Sequence, residues 1–173
     1  MYLVDTSVWI DYIRGRDRIH VRFLRDLLTN PLAVSITPLI YMEILQGARD
    51  PASYDRLQSY FSGQRFVDFD RPLDGHAAAA RLYVDCRRRG VTVRSSLDCL
   101  IAQCAMESKL ILFHHDSDFR NIASVVPALK ERNFLDSAGP PRDPHRIEDR
   151  SMNPHPPGDT VSHAFKARIR TDP

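Results

Sequence analysis

Short apolar runs alternate along this chain with longer helix-like segments, and this alternation limits the folds that are open to it. The clearest run begins at Met1 and ends abruptly in Asp5, Thr6 and Ser7. A short run without polar alternation is typical of a strand that is buried on both faces. Further strands are predicted at Leu32 to Ile36, Arg65 to Phe69, Leu110 to Phe113 and Asn133 to Leu135. The pattern favours an α/β fold with a parallel sheet covered by helices and joined by right-handed crossovers.

The segments between these strands contain capping residues and apolar spacings that are typical of helices. They predict helices from the Asp5 to Ser7 cap to about Ile13, and at Arg18 to Thr29, Pro38 to Gln46, Pro51 to Phe61, Arg71 to Arg89 and Asn121 to Val126. A further helix has Asp98 in its first turn and ends at about Glu107. The helix that starts at Thr37-Pro38 is apolar almost all round, yet it contains Glu43. An unpaired charge there would be costly, so Glu43 indicates a site.

Composition separates a globular domain from a tail. Hydrophobic residues make up 43% of the chain and charged residues 27%, which is ordinary for a globular protein. Seven of the 12 prolines lie in residues 137–173, so we predict one domain at residues 1–136 and a disordered C-terminal tail. Cys86, Cys99 and Cys104 lack metal-site spacing and are expected to be reduced, buried thiols. Neither a membrane span nor a secretory signal is found, so we expect a cytoplasmic protein.

Acidic residues from distant parts of the sequence are predicted to meet at one edge of the sheet. Asp5 and Asp116 follow strands directly, and Glu43 lies in the second turn of the helix that leaves the second strand. Asp98 lies in the first turn of a helix that must return the chain to the amino end of the fourth strand, and Asp118 is close to Asp116. Carboxylates so placed repel one another unless a cation compensates them. Oxygen ligands favour Mg²⁺ or Mn²⁺, and such a site suits hydrolysis of a phosphodiester.

Four segments in this order resemble the motifs of PIN-domain ribonucleases, and most closely those of VapC toxins from bacterial toxin-antitoxin pairs. The segments are Leu3 to Ile10, Met42 to Arg49, Val93 to Ala102 and Asp116 to Phe119. The resemblance covers about Met1 to Leu135, and it implies a three-layer α/β/α sandwich with a mainly parallel sheet of about five strands. The tail after Ser137 is not part of the family pattern.

The resemblance also implies roles for particular residues. Asp5, Glu43, Asp98 and Asp116 would be the catalytic acids, and the metal would be bound by Asp5, Asp98 and Asp116 with Asp118 as an accessory acid. Thr6, Ser7 and Arg94 would contact the substrate. The implied activity is that of a Mg²⁺- or Mn²⁺-dependent endoribonuclease that cuts transfer or ribosomal RNA. A VapB-like antitoxin would inhibit it, and the protein would be a homodimer.

Several of these residues also have local explanations. Asp5 can simply cap a helix, Asp98 has a capping-box-like spacing with Ser95, and Asp116 and Asp118 suit a turn after a strand. Arg94 can contact substrate or antitoxin, or form a structural ion pair. The arginines at positions 14, 16 and 18 can steer the RNA backbone or belong to a solvated loop.

His114 and His115 lie beside the acids, but adjacent strand residues point to opposite faces, so both cannot reach one pocket. Two other functions stay open. One is a PIN scaffold that binds nucleic acid without cutting it or acts outside toxin-antitoxin systems, including on DNA. The other is a receiver-like phosphoacceptor switch, which needs a lysine after a late strand, where this chain has His-His-Asp.

Overall fold

The structure, a computed structural model, describes residues 1–136, and the predicted tail lies outside the described residues. The strands are β1 (Tyr2–Val4), β2 (Val34–Ser35), β3 (Ile111–Phe113) and β4 (Glu131–Arg132). The helices are α1 (Thr6–Ile13), α2 (Ile19–Leu27), α3 (Pro38–Gln46), α4 (Pro51–Phe61), α5 (Pro72–Arg88), α6 (Ser96–Glu107) and α7 (Ser117–Val125).

The four strands form one sheet in the order β2-β1-β3-β4, and every pairing is parallel. Tyr2 lies opposite Ile111 and Val4 opposite Phe113 in the central pair. Leu3 and Leu112 are fully buried, as expected for central strands with helices packed around them. The predicted α/β class and parallel sheet are confirmed.

Two predictions about the sheet were wrong in detail. The segment predicted as a strand from Arg65 to Phe69 forms only one bridge, between Ile36 and Phe66, so the described sheet has four strands. The backbone N–H groups of Ile36 and Val67 make the two hydrogen bonds of this bridge, each 2.9 Å long. The last strand is Glu131–Arg132 and ends before Asn133, where the sequence predicted it to begin.

Capping side chains determine where several of the helices begin. Thr37 Oγ1 accepts a hydrogen bond from the Ile40 amide at the start of α3, and Asp50 and Ser53 form a capping box on α4. Helix α7 begins at Ser117, four residues before its predicted start, because the Asp116 side chain caps it. The caps of α3 and α7 leave the first residues of these two helices just after β2 and β3, at the carboxyl edge of the sheet.

Gly75, near the start of α5, lacks a side chain where the segment before this helix packs back against it. The ring of Phe69 lies directly on Gly75, and a Cβ atom at Gly75 would come within 2.3 Å of Phe69 Cγ. The glycine therefore lets the segment before α5 cover the start of that helix. Helix α5 in turn packs along α6, which carries Asp98.

All three cysteines are buried and unpaired, which confirms the prediction of reduced, buried thiols. Within residues 1–136, no helix has the length and apolar character needed to cross a membrane.

Candidate active site

Asp5 lies immediately beyond β1 and caps α1. Its Oδ2 atom accepts hydrogen bonds from the Ser7 amide at 2.8 Å and from Ser7 Oγ at 2.5 Å. Only 5% of Asp5 is exposed. The capping role is therefore real, and it holds a buried carboxylate at the carboxyl edge of the sheet.

The hydroxyls of Thr6 and Ser7 connect Asp5 to the rest of this edge. Thr6 Oγ1 donates to Glu43 Oε2 at 2.5 Å, so the carboxylate of α3 is fixed beside the start of α1. Ser7 Oγ accepts from the His115 amide at 2.9 Å, which joins the segments after β1 and β3. Both hydroxyls that the sequence assigned to substrate contact thus orient acidic groups in the described structure.

Asp116 and Asp118 are held by Arg94. Arg94 Nε lies 3.0–3.1 Å from both oxygens of Asp118, and the Arg94 amide donates to Asp118 Oδ2 at 3.0 Å. The Nη2 atom of Arg94 donates to Asp116 Oδ1 at 2.8 Å. Asp118 is buried, whereas 66% of the Arg94 side chain is exposed. The ion-pair alternative for Arg94 is therefore observed, and its exposed face remains accessible to a ligand.

The structure brings all five predicted acids together, and their charges act on one another. Burial, together with the charges of Asp5, Asp116, Asp118 and Glu43, raises the pKa of Asp98 to about 7. Burial raises the pKa of Asp5 to about 6, although its hydrogen bonds from Ser7 oppose the shift. The site therefore holds more negative charge than its surroundings compensate.

Basic partners are unevenly distributed over the acids. Arg94 pairs with Asp116 and Asp118, but none of the described residues forms an ion pair with Asp5, Glu43 or Asp98. The donor set is made of carboxylate and hydroxyl oxygens, which is the set that Mg²⁺ and Mn²⁺ prefer. Within residues 1–136, no three His, Cys, Asp or Glu side chains are close enough to form a ready-made metal centre. The residues fit such a cation in chemistry and charge, and their role as ligands stays a prediction.

The two histidines after β3 point in opposite directions, as the sequence predicted. His114 is buried, its Nε2 lies 3.0 Å from Glu131 Oε2, and its Nδ1 accepts from the Asp116 amide at 3.2 Å. His115 instead stacks on His20, with ring centroids 4.1 Å apart. Burial lowers the pKa of all three histidines. Neither His114 nor His115 is placed with the acids as a ligand.

Asp11 and His20 were missed by sequence reasoning. Both are buried, and His20 Nε2 lies 3.0 Å from Asp11 Oδ2. Asp11 also lies in the second half of α1, on a buried face that the apolar spacing of Trp9 and Ile13 does not reveal. The one available signal was an acid in a short, otherwise apolar helix, the same signal that identified Glu43.

The fold and the edge cluster of acids agree with a known family. A sequence model described as the PIN domain matches residues 2–125. This match spans more than half of the 173 residues, so the chain belongs to the PIN-domain family.

Two relatives show to which group within that family the chain belongs. The VapC ribonuclease Mb1587 of Mycobacterium bovis is 38% identical over 127 residues, which are 73% of this chain and 94% of the relative. Ribonuclease VapC51 of Mycobacterium tuberculosis is 30% identical over 125 residues, which are 72% and 87% of the two chains. The protein is a VapC-type member of the PIN-domain family, as its motifs predicted.

Solved structures show the same fold. The complex VapBC2 from Rickettsia felis, bound to a DNA fragment from its promoter, includes a chain that matches with a TM-score of 0.59 at 17% identity. That match covers 76% of this chain and 97% of the other. DNA-bound VapBC from Salmonella typhimurium matches with a TM-score of 0.59 at 20% identity over 77% and 97%. At these identities the likeness concerns the fold, and it confirms the predicted PIN-like architecture.

Proposed function

We propose that this protein is a metal-dependent endoribonuclease and the toxin of a toxin-antitoxin pair. The observation that carries the proposal is the group of five acids at the carboxyl edge of a PIN-type sheet, where the pKa values of Asp5 and Asp98 are raised to about 6 and 7. Such shifts are typical of functional sites, where charge is concentrated before a ligand arrives. Relatives at 38% and 30% identity that bear the name ribonuclease support the same activity.

In this proposal Asp5, Asp98 and Asp116 hold Mg²⁺ or Mn²⁺. When bound, such a cation polarises the phosphoryl oxygen, lowers the pKa of a bound water and stabilises the leaving alkoxide. The chain itself positions the acids, since Ser7 orients Asp5 and Thr6 orients Glu43. Glu43 Oε1, the oxygen that Thr6 does not bond, is then available to accept a proton. Asp118 acts mainly by holding Arg94, because both of its oxygens are bonded to that side chain.

The proposed partners follow from the family. Solved relatives of this fold are VapBC complexes, so we propose a VapB-like antitoxin as the inhibitor and a homodimer as the assembly. The substrate class is RNA, with transfer or ribosomal RNA in the cytoplasm as targets, and cleavage leaves a 5′-phosphate and a 3′-hydroxyl. The receiver-like alternative is disfavoured by the family match, and a binding-only scaffold is disfavoured by the presence of every predicted acid.

The test compares the wild-type protein with Asp98→Asn on RNA and on DNA of the same sequence, with Mn²⁺ and with EDTA. We expect Asp98→Asn to slow RNA cleavage by about a hundredfold or more, because it removes a charged ligand from the site. Asp74→Asn is the matched control, since Asp74 is an exposed acid on α5 that pairs with Arg71. Equal cleavage by wild type and Asp98→Asn would contradict the assignment. Preferential cutting of DNA would reject RNA as the substrate.

A further inference from the structure

Three exposed arginines lie in the turn between α1 and α2. Arg14, Arg16 and Arg18 alternate with Gly15 and Asp17, and we call residues 14–18 the basic arm. Gly15 has a positive φ of 67°, which allows the chain to turn sharply here. Asp17 forms a two-point ion pair with Arg22, at 2.8 Å for both hydrogen bonds, so its charge is compensated from α2.

The buried carboxylate of Asp11 holds the basic arm. Arg16 Nη1 lies 2.7 Å from Asp11 Oδ1, and Arg18 Nη1 lies 3.5 Å from Asp11 Oδ2. The side chains of these arginines are 42% and 48% exposed, whereas that of Asp11 is 6% exposed. One carboxylate thus faces two guanidinium groups, which leaves a net positive charge on the outer side of the turn.

Aromatic stacking joins this turn to the acids. His20 contacts Asp11 on one side and stacks on His115 on the other, with an angle of 21° between the rings. His115 precedes Asp116 in the chain, and its amide donates to Ser7 Oγ, which itself bonds Asp5. The basic arm is therefore fixed in position relative to the acidic edge through a continuous set of contacts.

We propose that the basic arm binds the backbone phosphates of RNA next to the bond that is cut, with Arg16 and Arg18 as the contact residues. This inference rests on the proposed function and assigns a substrate-binding surface to it. A cluster of five acids repels a polyanion, so the neighbouring segments of RNA require cationic contacts. Guanidinium groups bind phosphate oxygens in a bidentate manner, and Asp11 orients them in advance. Phosphate contacts of this kind fix the register of the RNA without reading its sequence.

The experiment measures RNA binding apart from cleavage. The full-length protein carrying Asp98→Asn is titrated with a labelled single-stranded RNA of mixed sequence in EDTA, over a range of salt concentrations. On this background Arg16→Gln/Arg18→Gln is compared with Arg16→Lys/Arg18→Lys. The matched control is Arg71→Gln/Arg81→Gln, called the α5 control, which also removes two exposed, ion-paired arginines, one at the N-cap of α5 and one within it.

Each lost contact with a single strand lowers the slope of log affinity against log salt by about 0.7. The glutamine pair is therefore expected to lower the slope by about 1.4 and the affinity by roughly 25-fold at about 0.1 M salt. Arg16→Lys/Arg18→Lys should restore most of the slope, and the α5 control should keep the slope of the Asp98→Asn protein. Thermal denaturation of each variant identifies any loss of folding.

Two results would overturn the inference. One is that Arg16→Gln/Arg18→Gln has the same slope of log affinity against log salt as the α5 control. The other is unchanged RNA binding together with weakened binding of polyglutamate, which would assign the basic arm to an acidic protein partner. The proposed function fails separately, because it depends on cleavage by the wild-type protein. A lowered slope in a protein that cuts no RNA would support the basic arm and reject the nuclease.

Discussion

Ser7 supplies a single hydroxyl on which two parts of the site depend. It donates to Asp5 and accepts from the His115 amide, so it ties the first segment of the chain to the segment after β3. The hydrogen bond to Asp5 lowers the pKa of a carboxylate that burial otherwise raises. Ser7 therefore sets how readily Asp5 becomes the charged ligand that the proposed mechanism needs.

Replacing Ser7 by alanine is expected to raise the pKa of Asp5 above its value of about 6, because a donor to the charged form is removed. The acidic limb of kcat/KM for RNA cleavage should then move to higher pH. The measurement is a pH profile between about pH 5 and 8 with Mn²⁺. Ser7→Thr retains the hydroxyl and should keep the limb of the wild type. A limb that stays in place in Ser7→Ala would show that Asp5 does not control the profile.

The residues that could be predicted from the sequence are those placed by topology. Asp5, Asp98 and Asp116 were assigned to one edge because each must lie at the carboxyl end of a strand or at the start of a helix that leaves that edge. A structural ion pair was left open for Arg94, but its partner Asp118 was not named, and the stacking of His20 on His115 was not predicted. Such contacts depend on the path of a loop in three dimensions, and no spacing along the sequence reports it.

Helices were easier to predict than strands for a physical reason. Proline and capping side chains mark the starts of α3 and α4 within the sequence itself, and glycine follows the last turn of α3. The segment at Arg65 to Phe69 has the alternation of a strand, yet only Phe66 pairs with a neighbour. Alternation reports that one face is buried, and it does not report how far an edge strand stays beside its partner.

At the level of elements, the contact between Phe69 and Gly75 makes a specific prediction. Gly75→Ala should lower the free energy of unfolding by about 1–3 kcal/mol, because the new Cβ would overlap the Phe69 ring and the ring cannot move far within the buried contact. Urea denaturation measures the effect. Gly63→Ala is the control, since the nearest atom to a Cβ there is Tyr60 O at 3.8 Å. If both variants kept wild-type stability, the close packing at the start of α5 would be refuted.

Over the whole molecule, the acids of the site oppose folding when no metal is present. The pKa of Asp98 is about 7 in the folded protein and near 3.8 in an unconstrained chain, so the folded state binds more protons between these values. Its contribution to stability is therefore lost as the pH rises through this range. We expect the difference in free energy of unfolding between Asp98→Asn and the wild type to grow in favour of Asp98→Asn by about 1–2 kcal/mol from about pH 5 to about pH 8. This value allows for solvent screening at the half-exposed Asp98.

Urea denaturation of both proteins in EDTA at the two pH values measures this difference. Asp74→Asn should show no comparable gain, because Asp74 is exposed on α5 and outside the acid cluster. Added Mn²⁺ should stabilise the wild type more than Asp98→Asn, since a cation that binds only the folded state shifts the equilibrium by mass action. A pH-independent difference between the two proteins would contradict the raised pKa of Asp98.

The pairing of β1 with β3 also determines when the active site can first exist. Tyr2–Val4 are synthesised long before their partners Ile111–Phe113. The contact between Ser7 and His115 spans 108 positions of sequence. A growing chain therefore contains Asp5 and Glu43 long before Asp98 and Asp116 can join them. The order of synthesis therefore delays the complete cluster of acids until Ile111–Phe113 have been made and have paired with β1.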